Sequence, residues 1–487
     1  MQRVSIGVGT ALLALLIGES FGFAATNSAA DPSYAAVIAA VSASHDGDTV
    51  TIPKGTALWA TPINLTNGIT ILGAGTNATF LRGSSMFIVD FTTTKPIRIS
   101  GINFDCDYTQ SAILLHGRDQ YGLGAPITAF RVDHCYFHGG YRTVQPAGWC
   151  YGVIDHCTFV DPRIGVGPVG DANYAWQRPV EPGSTNGVCV EDCVFWFTGA
   201  VNTPPNGVTA WPQELVYHYL GTRSTVRFCT FDATGYTADS ENFIDAHGNQ
   251  NYYTGTTLDF RGTVLMECYS NVFRGFKSDR FMYLRGGTHF VYGNTMTNIS
   301  TASSFPVVMT EEESWQTDFF SPLRTVWPAQ DQITNSYFWA NTYKGDLTTP
   351  YTTALNNGSD AIFIQEGRDY WNHPPASTNV YYPYKPLQYP HPLITGPTGG
   401  FQTNKVIAVA NSRLSASPGT FAFSSAGSAS LNGVVLTYFW TFGDAGFSSE
   451  SNPLHTYSSN GTYSAQLFVS DGLTIASAKL RVKVPSP

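Results

Sequence analysis

Along the middle of the chain, apolar positions recur in a short motif, not in a helical period. Val132-Asp133-His134-Cys135-Tyr136-Phe137, Ile154-Asp155-His156-Cys157-Thr158-Phe159 and Val190-Glu191-Asp192-Cys193-Val194-Phe195 share one template. It reads apolar, two polar residues, Cys, any residue, Phe. Segments 226–231, 269–273, 292–296 and 339–343 fit it more loosely, with Asn271, Asn294 and Asn341 in the Cys place of the last three. Copies come as close as 22 residues (Cys135 to Cys157) and 23 residues (Asn271 to Asn294), and wider intervals leave room for loops. A strand this short cannot bury its apolar face alone, so copies must stack and insertions must leave from the corners. The pattern predicts a parallel β-helix over about residues 45 to 345.

Stacked coils put equivalent residues one above the next at about 4.8 Å. Cys135, Cys157, Cys193 and Cys229 should therefore form an inward stack of free thiols, continued by an Asn271-Asn294-Asn341 amide ladder, with the Phe residues stacked beside it. The spacing leaves Cys106, Cys150, Cys189 and Cys268 undecided. Ahead of the coils, Asp31 as N-cap, Pro32 at the first helical position and Val37, Ile38 and Val41 on one face predict a short helix ending at Asp46-Gly47. Such a helix would cover the open end of the stack. Beyond about Tyr351 the repeat dissolves into Tyr- and Pro-rich sequence, such as Tyr381-Tyr382-Pro383-Tyr384, expected to cap the last coils. The β-helix domain should span residues 25–394, followed by a linker over 395–402 and a small all-β unit over 403–487.

At the N-terminus Arg3, an apolar run over residues 4–18 and Gly22-Phe23-Ala24 read as a signal peptide of residues 1–24. The expected location is secreted or cell-surface, and the run is short of the roughly 20 residues a membrane span needs. Charged residues make up only 13% of the chain and the net charge is −9, so no basic stripe exists to meet phosphates. Nucleic acid and anionic membrane are thereby excluded as expected partners.

The opening Gly47-Asp48-Thr49-Val50-Thr51-Ile52-Pro53, the Ile71-Leu72-Gly73-Ala74-Gly75 turn and the coil repeats resemble extracellular right-handed parallel β-helix proteins of the pectate-lyase-like superfamily. Asp245 to Gly248, Arg261-Gly262, Leu284 to Thr288 and Gly367 to Tyr370 resemble segments of bacterial, largely uncharacterised members. The C-terminal unit resembles a PKD domain, an immunoglobulin-like sandwich, through Phe439-Trp440-Thr441-Phe442-Gly443-Asp444, His455-Thr456-Tyr457 and Ser470-Asp471-Gly472. These resemblances imply an all-β protein near an extracellular polymer. They leave the activity open, because the superfamily hosts lyases, hydrolases, esterases and adhesins.

Ionisable residues concentrate between Asp239 and His289. Arg261 and Arg285 each precede a Gly at nearly equal distance from the Asn ladder, which should bring both guanidinium groups to one edge. An Arg fork suits carboxylates, so the implied partner is an acidic extracellular polysaccharide. Lyase chemistry on a uronate needs its carboxylate neutralised, a base for the C5 proton and an acid for the leaving oxygen. Arg261 and Arg285 would neutralise, His247 or Lys277 would be the base and Tyr283 the acid, with Arg280, Asp245 and His289 binding substrate. Asp239 and Glu241 are candidate ligands for a hard cation such as Ca2+. A glycoside hydrolase using Asp and Glu on the same flank is the first alternative. A non-catalytic adhesin or structural rod is the second. On the plainer side, Asp245 would pair with His247, Arg261 and Arg285 would bind carbonyls, Glu311-Glu312-Glu313 would be a solvated loop, and Arg368-Asp369-Tyr370 would lock the last coil. Trp149, Trp176, Trp211, Trp315 and Trp327 are candidate sugar platforms.

Overall fold

The computed structural model of the chain describes residues 24–119, 121–198, 214–235, 242–249, 261–275, 280–298, 306–312, 327–329, 331–352, 360–395, 406–415, 417–430, 436–444, 446–470 and 475–485. The proposed signal peptide lies outside them but for Ala24, and most of the linker does too.

Among the described residues, strands of three sheets alternate along the chain and pair in parallel with their counterparts one coil later, except that Asp346–Leu347 pairs antiparallel with Thr342–Tyr343. The first sheet has 12 strands, running from Thr26–Ser28 to Tyr370–Trp371. The second has 11, from Gly55–Leu58 to Asp346–Leu347, and the third has 10, from Ile63–Leu65 to Tyr351–Thr352. This is a parallel β-helix, and right-handed winding is the sense that strand twist favours in parallel crossovers. The stack starts earlier and ends later than the repeat predicts. Thr26 pairs with Thr49 at one end, and Ser336 with Tyr370 at the other.

Each sheet sends one apolar ladder into a common core. In the first sheet, Ile99, Val132, Ile154, Val190, Val226, Cys268 and Val291 succeed one another in register. In the second, the rings of Phe104, Phe137, Phe159, Phe195, Phe231 and Phe273 stack with centroids 4.7–5.0 Å apart. All eight cysteines are free and buried. Burial pushes the thiols of Cys106, Cys135, Cys150, Cys157, Cys189, Cys193 and Cys268 away from the reactive thiolate form, to about 12 for Cys150. The amide ladder is present as well. Asn271 Nδ2 donates to Asn294 Oδ1 at 3.0 Å, and Asn294 Nδ2 to Asn341 Oδ1 at 2.9 Å. The residue before each Cys or Asn, from His134 to Ala340, has positive φ, so the chain turns a corner there in every coil.

Two expectations about the ends need correction. The helix is Tyr34–Ser42, capped by Ser33, whose Oγ accepts from Ala36 N; Asp31 instead accepts from Ser33 N at 2.8 Å, and the helix stops before Asp46. The Tyr/Pro segment is not confined to the last coils. It runs back along the outer face of the first sheet, where Tyr384 meets Glu267, Leu387 and Gln388 meet Arg227, and His391 meets Glu191. That strap closes over Glu191 and Arg227, part of an ionic ladder whose rungs join neighbouring coils. Arg98 grips Asp133 at 2.7 Å, Arg131 grips Asp155 at 2.9 Å, and Arg227 grips Glu191 at 2.5 and 2.8 Å. Burial alone would raise the Asp133 carboxyl, but Arg98, His134 and Arg131 outweigh it and hold it far below the usual range. Arg368 does lock the last coil, bonding Asp369 at 2.6 Å and the carbonyls of Ile362 and Phe363.

The C-terminal unit is antiparallel throughout, with sheets of two, three and four strands among the described residues. Trp440 is fully buried among Phe421, Phe423, Phe442 and Leu467, which makes it a core residue. Tyr457 Oη donates to the Phe442 carbonyl at 3.0 Å and ties two strands together.

Candidate functional site

On the outer face of the third sheet, parallel register places Tyr217, Asp245 and Tyr283 in one row across three coils. Two residues further on lie Tyr219, His247 and Arg285. The alternation that sends Val216, Ile244 and Met282 inward sends these rows outward, so the strands themselves aim the cluster.

Arg285 is its centre. Nε and Nη2 bond Asp245 at 2.8–3.0 Å, Nη1 bonds Glu312 Oε1 at 3.1 Å, and Nη2 reaches His247 Nε2 at 2.5 Å. Burial would drive the guanidinium toward neutrality, but the Asp245 and Glu312 carboxylates hold it firmly cationic. Because Arg285 can only donate, His247 Nε2 must accept, and its lone pair is taken. The His247 ring is packed between Tyr217 and Tyr219, at centroid distances of 4.8 and 5.7 Å. Asp245 and His247 thus join through Arg285, with 3.7 Å between them.

Half-buried Tyr283 lies at the rim. The Arg280 guanidinium sits 4.1 Å from its ring centroid and that of Arg285 4.8 Å. Burial raises the phenol although both arginines pull it down, so it is protonated at neutral pH. Arg280 Nε donates to Asn242 Oδ1 at 2.6 Å, and Asn242 Nδ2 passes on to Asp245.

The structure separates other residues that the sequence groups together. The turns at Gly262 and Gly286 do stack, both against Asp331, but their arginines diverge. Arg261 turns to Trp176, whose ring lies 5.0 Å away, and to the Ala175 carbonyl. Buried His289 is in register with Met266 and faces the helix interior, so it cannot bind substrate; burial lowers it to about 3. Lys277, Asp239 and Glu241 lie outside the described residues, as do Trp211, Trp315 and Glu313. Glu311 and Glu312 are fully buried, not solvated: one accepts from Ile333 N, the other from Gly248 N and Arg285. Trp149, Trp176 and Trp327 each carry an arginine over the ring, at 4.2–5.0 Å, which occupies a face a sugar would need.

Glu214, Tyr217, Tyr219 and Glu312 are the members of the cluster that sequence reasoning misses. Tyr217-x-Tyr219 precedes Asp245-x-His247 at matching alternate positions one coil earlier, and that spacing was the available signal. Glu214, Asp245 and His247 bring ligand atoms within 4.8 Å of one another, the one such group among the described residues. They fit a hard cation poorly. Ca2+ takes about six to eight oxygens, whereas here Arg285 already balances Asp245 and occupies His247.

A family model described as the PKD domain matches residues 404–484, where the antiparallel sandwich lies. These residues are a PKD domain. The PKD1 domain of Vibrio cholerae metalloprotease PrtV is 26% identical, covering 16% of this chain and 98% of that one, with a TM-score of 0.15. Collagenase ColA of Bacillus cereus is 49% identical over 49 residues, which is 10% of this chain and 5% of that protein's length. An alginate lyase from Paenibacillus sp. str. FPU-7 is 13% identical, with a TM-score of 0.29, covering 59% of this chain and 94% of that one. The β-helix assignment rests on the strand register described above, and the PKD domain on the family match.

Proposed function

We propose that the protein is a secreted, polysaccharide-active β-helix that cleaves a uronate polymer by β-elimination on the outer face of the third sheet. The observation that carries this reading is the Arg280–Tyr283 pair at the rim of a charge-balanced network. Arg285 is committed to Asp245 and Glu312, so the neutralising role passes to Arg280, which stands over Tyr283 at the edge of the cluster. Tyr283 holds its proton and serves as the acid for the leaving oxygen. With the His247 lone pair engaged, Lys277, three residues before Arg280 in sequence, is the base in this reading. The PKD domain supports an extracellular setting, and the leader-like N-terminus agrees with it.

The test is a panel of polyuronates incubated with the full chain, followed by the ultraviolet absorbance of the unsaturated product and by new reducing ends. Lyase action gives both signals. Reducing ends alone would replace elimination with hydrolysis, and neither signal from any polyuronate would leave the rod reading standing.

A further inference from the structure

A second polar site lies at the corner where the third sheet passes into the first. A cavity of about 470 Å3 opens there, lined by Trp149, Tyr151, Arg178, Arg223, Thr185 and His391 among others. Its volume falls in the range of roughly 300–1,000 Å3 typical of small-molecule sites. Three parts of the chain build it: the coil corner, the insertion between strands Ile164–Val166 and Val188–Glu191, and the strap that brings in His391.

Among the described residues the wall holds one carboxylate, Glu181, which Arg223 and Asn186 engage, and several N–H donors without a partner. Arg178 Nε and Nη1, Trp149 Nε1 and His391 Nε2 are buried with no hydrogen-bond partner among the described residues. His391 Nδ1 accepts from Leu393 N at 3.2 Å, so in the neutral ring the proton sits on Nε2. All four atoms are therefore N–H donors, and no wall residue leaves a buried acceptor bare. Leaving such donors unsatisfied is costly, and an acceptor-rich group would remove the cost. The charge agrees. Asp171 contacts one end of Arg178, while Arg223 is held by Glu181 at 2.7 Å and by Tyr151 Oη at 2.7 Å. Burial lowers Arg178 to about 10, with Arg223 and Arg118 adding to it and Tyr151 opposing it.

We infer that this cavity binds the carboxylate of an acidic sugar unit, holding a polyuronate at a point apart from the Arg280–Tyr283 pair. The sugar identity rests on the polysaccharide reading above, whereas the anionic character rests on the four donors. Arg178 would take the carboxylate through Nε and Nη1, with Trp149 and His391 donating to neighbouring oxygens. Thr185 at the exposed mouth faces the rest of the unit.

Isothermal titration of the full chain with dimeric galacturonate, mannuronate, guluronate and glucuronate tests this, with cellobiose and succinate as controls. At least one diuronate should bind, and neither control should. Arg178→Gln should weaken that binding tenfold or more, and Thr185→Trp, an exposed change that fills the mouth without touching the core, should abolish it. Tyr283→Phe should leave it intact, so loss of turnover and loss of this site can be told apart. Wild-type affinity in both cavity variants, equal binding of cellobiose or succinate, or no binding of any diuronate would each overturn the inference.

Discussion

Two outer faces of one β-helix carry buried charge and use it differently. On the first sheet every rung of the ionic ladder meets a rung of opposite sign or a carbonyl of the strap; Arg227 alone spans Glu191, Tyr269, Leu387 and Gln388. On the third sheet Arg285, Asp245, Glu312 and His247 close on themselves, but their edge carries half-buried Tyr283 and Arg280. Stacking gives both faces the same means of aligning like residues. The strap covers one, while the other presents a protonated phenol between two guanidiniums.

The comparison can be broken from the closed side first. Arg227→Ala leaves Glu191 buried without its partner, and removing one member of such a pair costs about 3–5 kcal/mol. Chemical denaturation should show that loss, and limited proteolysis should show the strap cut between Tyr381 and Ile394. Unchanged stability would mean that the strap is not held by the ladder.

Acid should weaken both faces. His218 and His391 are lowered by burial to about 4, and His289 to about 3. The unfolded chain takes up these protons below about 6.5 while the fold does not, so stability is complete above that pH and falls as pH drops toward 4. Each histidine contributes about 1.4 kcal/mol for each unit its folded value lies below its unfolded one. His391→Asn should flatten the dependence from the strap side and His218→Asn from the side behind the cluster; a profile flat between pH 7 and 4 in the wild type would contradict the burial of all three.

Asn294→Ala should cost about 1–3 kcal/mol, because the Cys268 carbonyl and the Asn271 amide each lose a partner inside the stack. Tyr389→Phe should cost no more than about 1 kcal/mol, since its bond to Asp192 is exposed. These two sharpen the contrast by separating the interior from the strap's outermost edge.

The sequence makes the interior legible and the exterior much less so. Val132, Cys135 and Phe137 repeat as types because each meets its own kind one coil away, and that requirement survives insertions of any length. The first polar position of the template, Asp133, Asp155 or Glu191, looks like solvated surface but is buried; at Glu191 a strap residue 200 positions away, His391, takes part, a distance no local pattern reports. The second polar position, His134, His156 or Asp192, is the positive-φ corner, which no shared residue type announces. At the candidate site the sequence locates the Asp245 to Arg285 region but not side-chain direction. Arg261 and Arg285 share a turn register and part company at the guanidinium, and His289 lies one position off the outward face.

The central claim is that the rim of the third sheet performs chemistry while the first sheet only holds the rod together. Turnover by Tyr283→Phe, on the polyuronate the wild type converts to unsaturated product, tests it most directly. The account predicts an unchanged melting temperature and a rate lower by about 10²–10⁴-fold, the usual worth of a positioned acid. Wild-type turnover in this variant would contradict it.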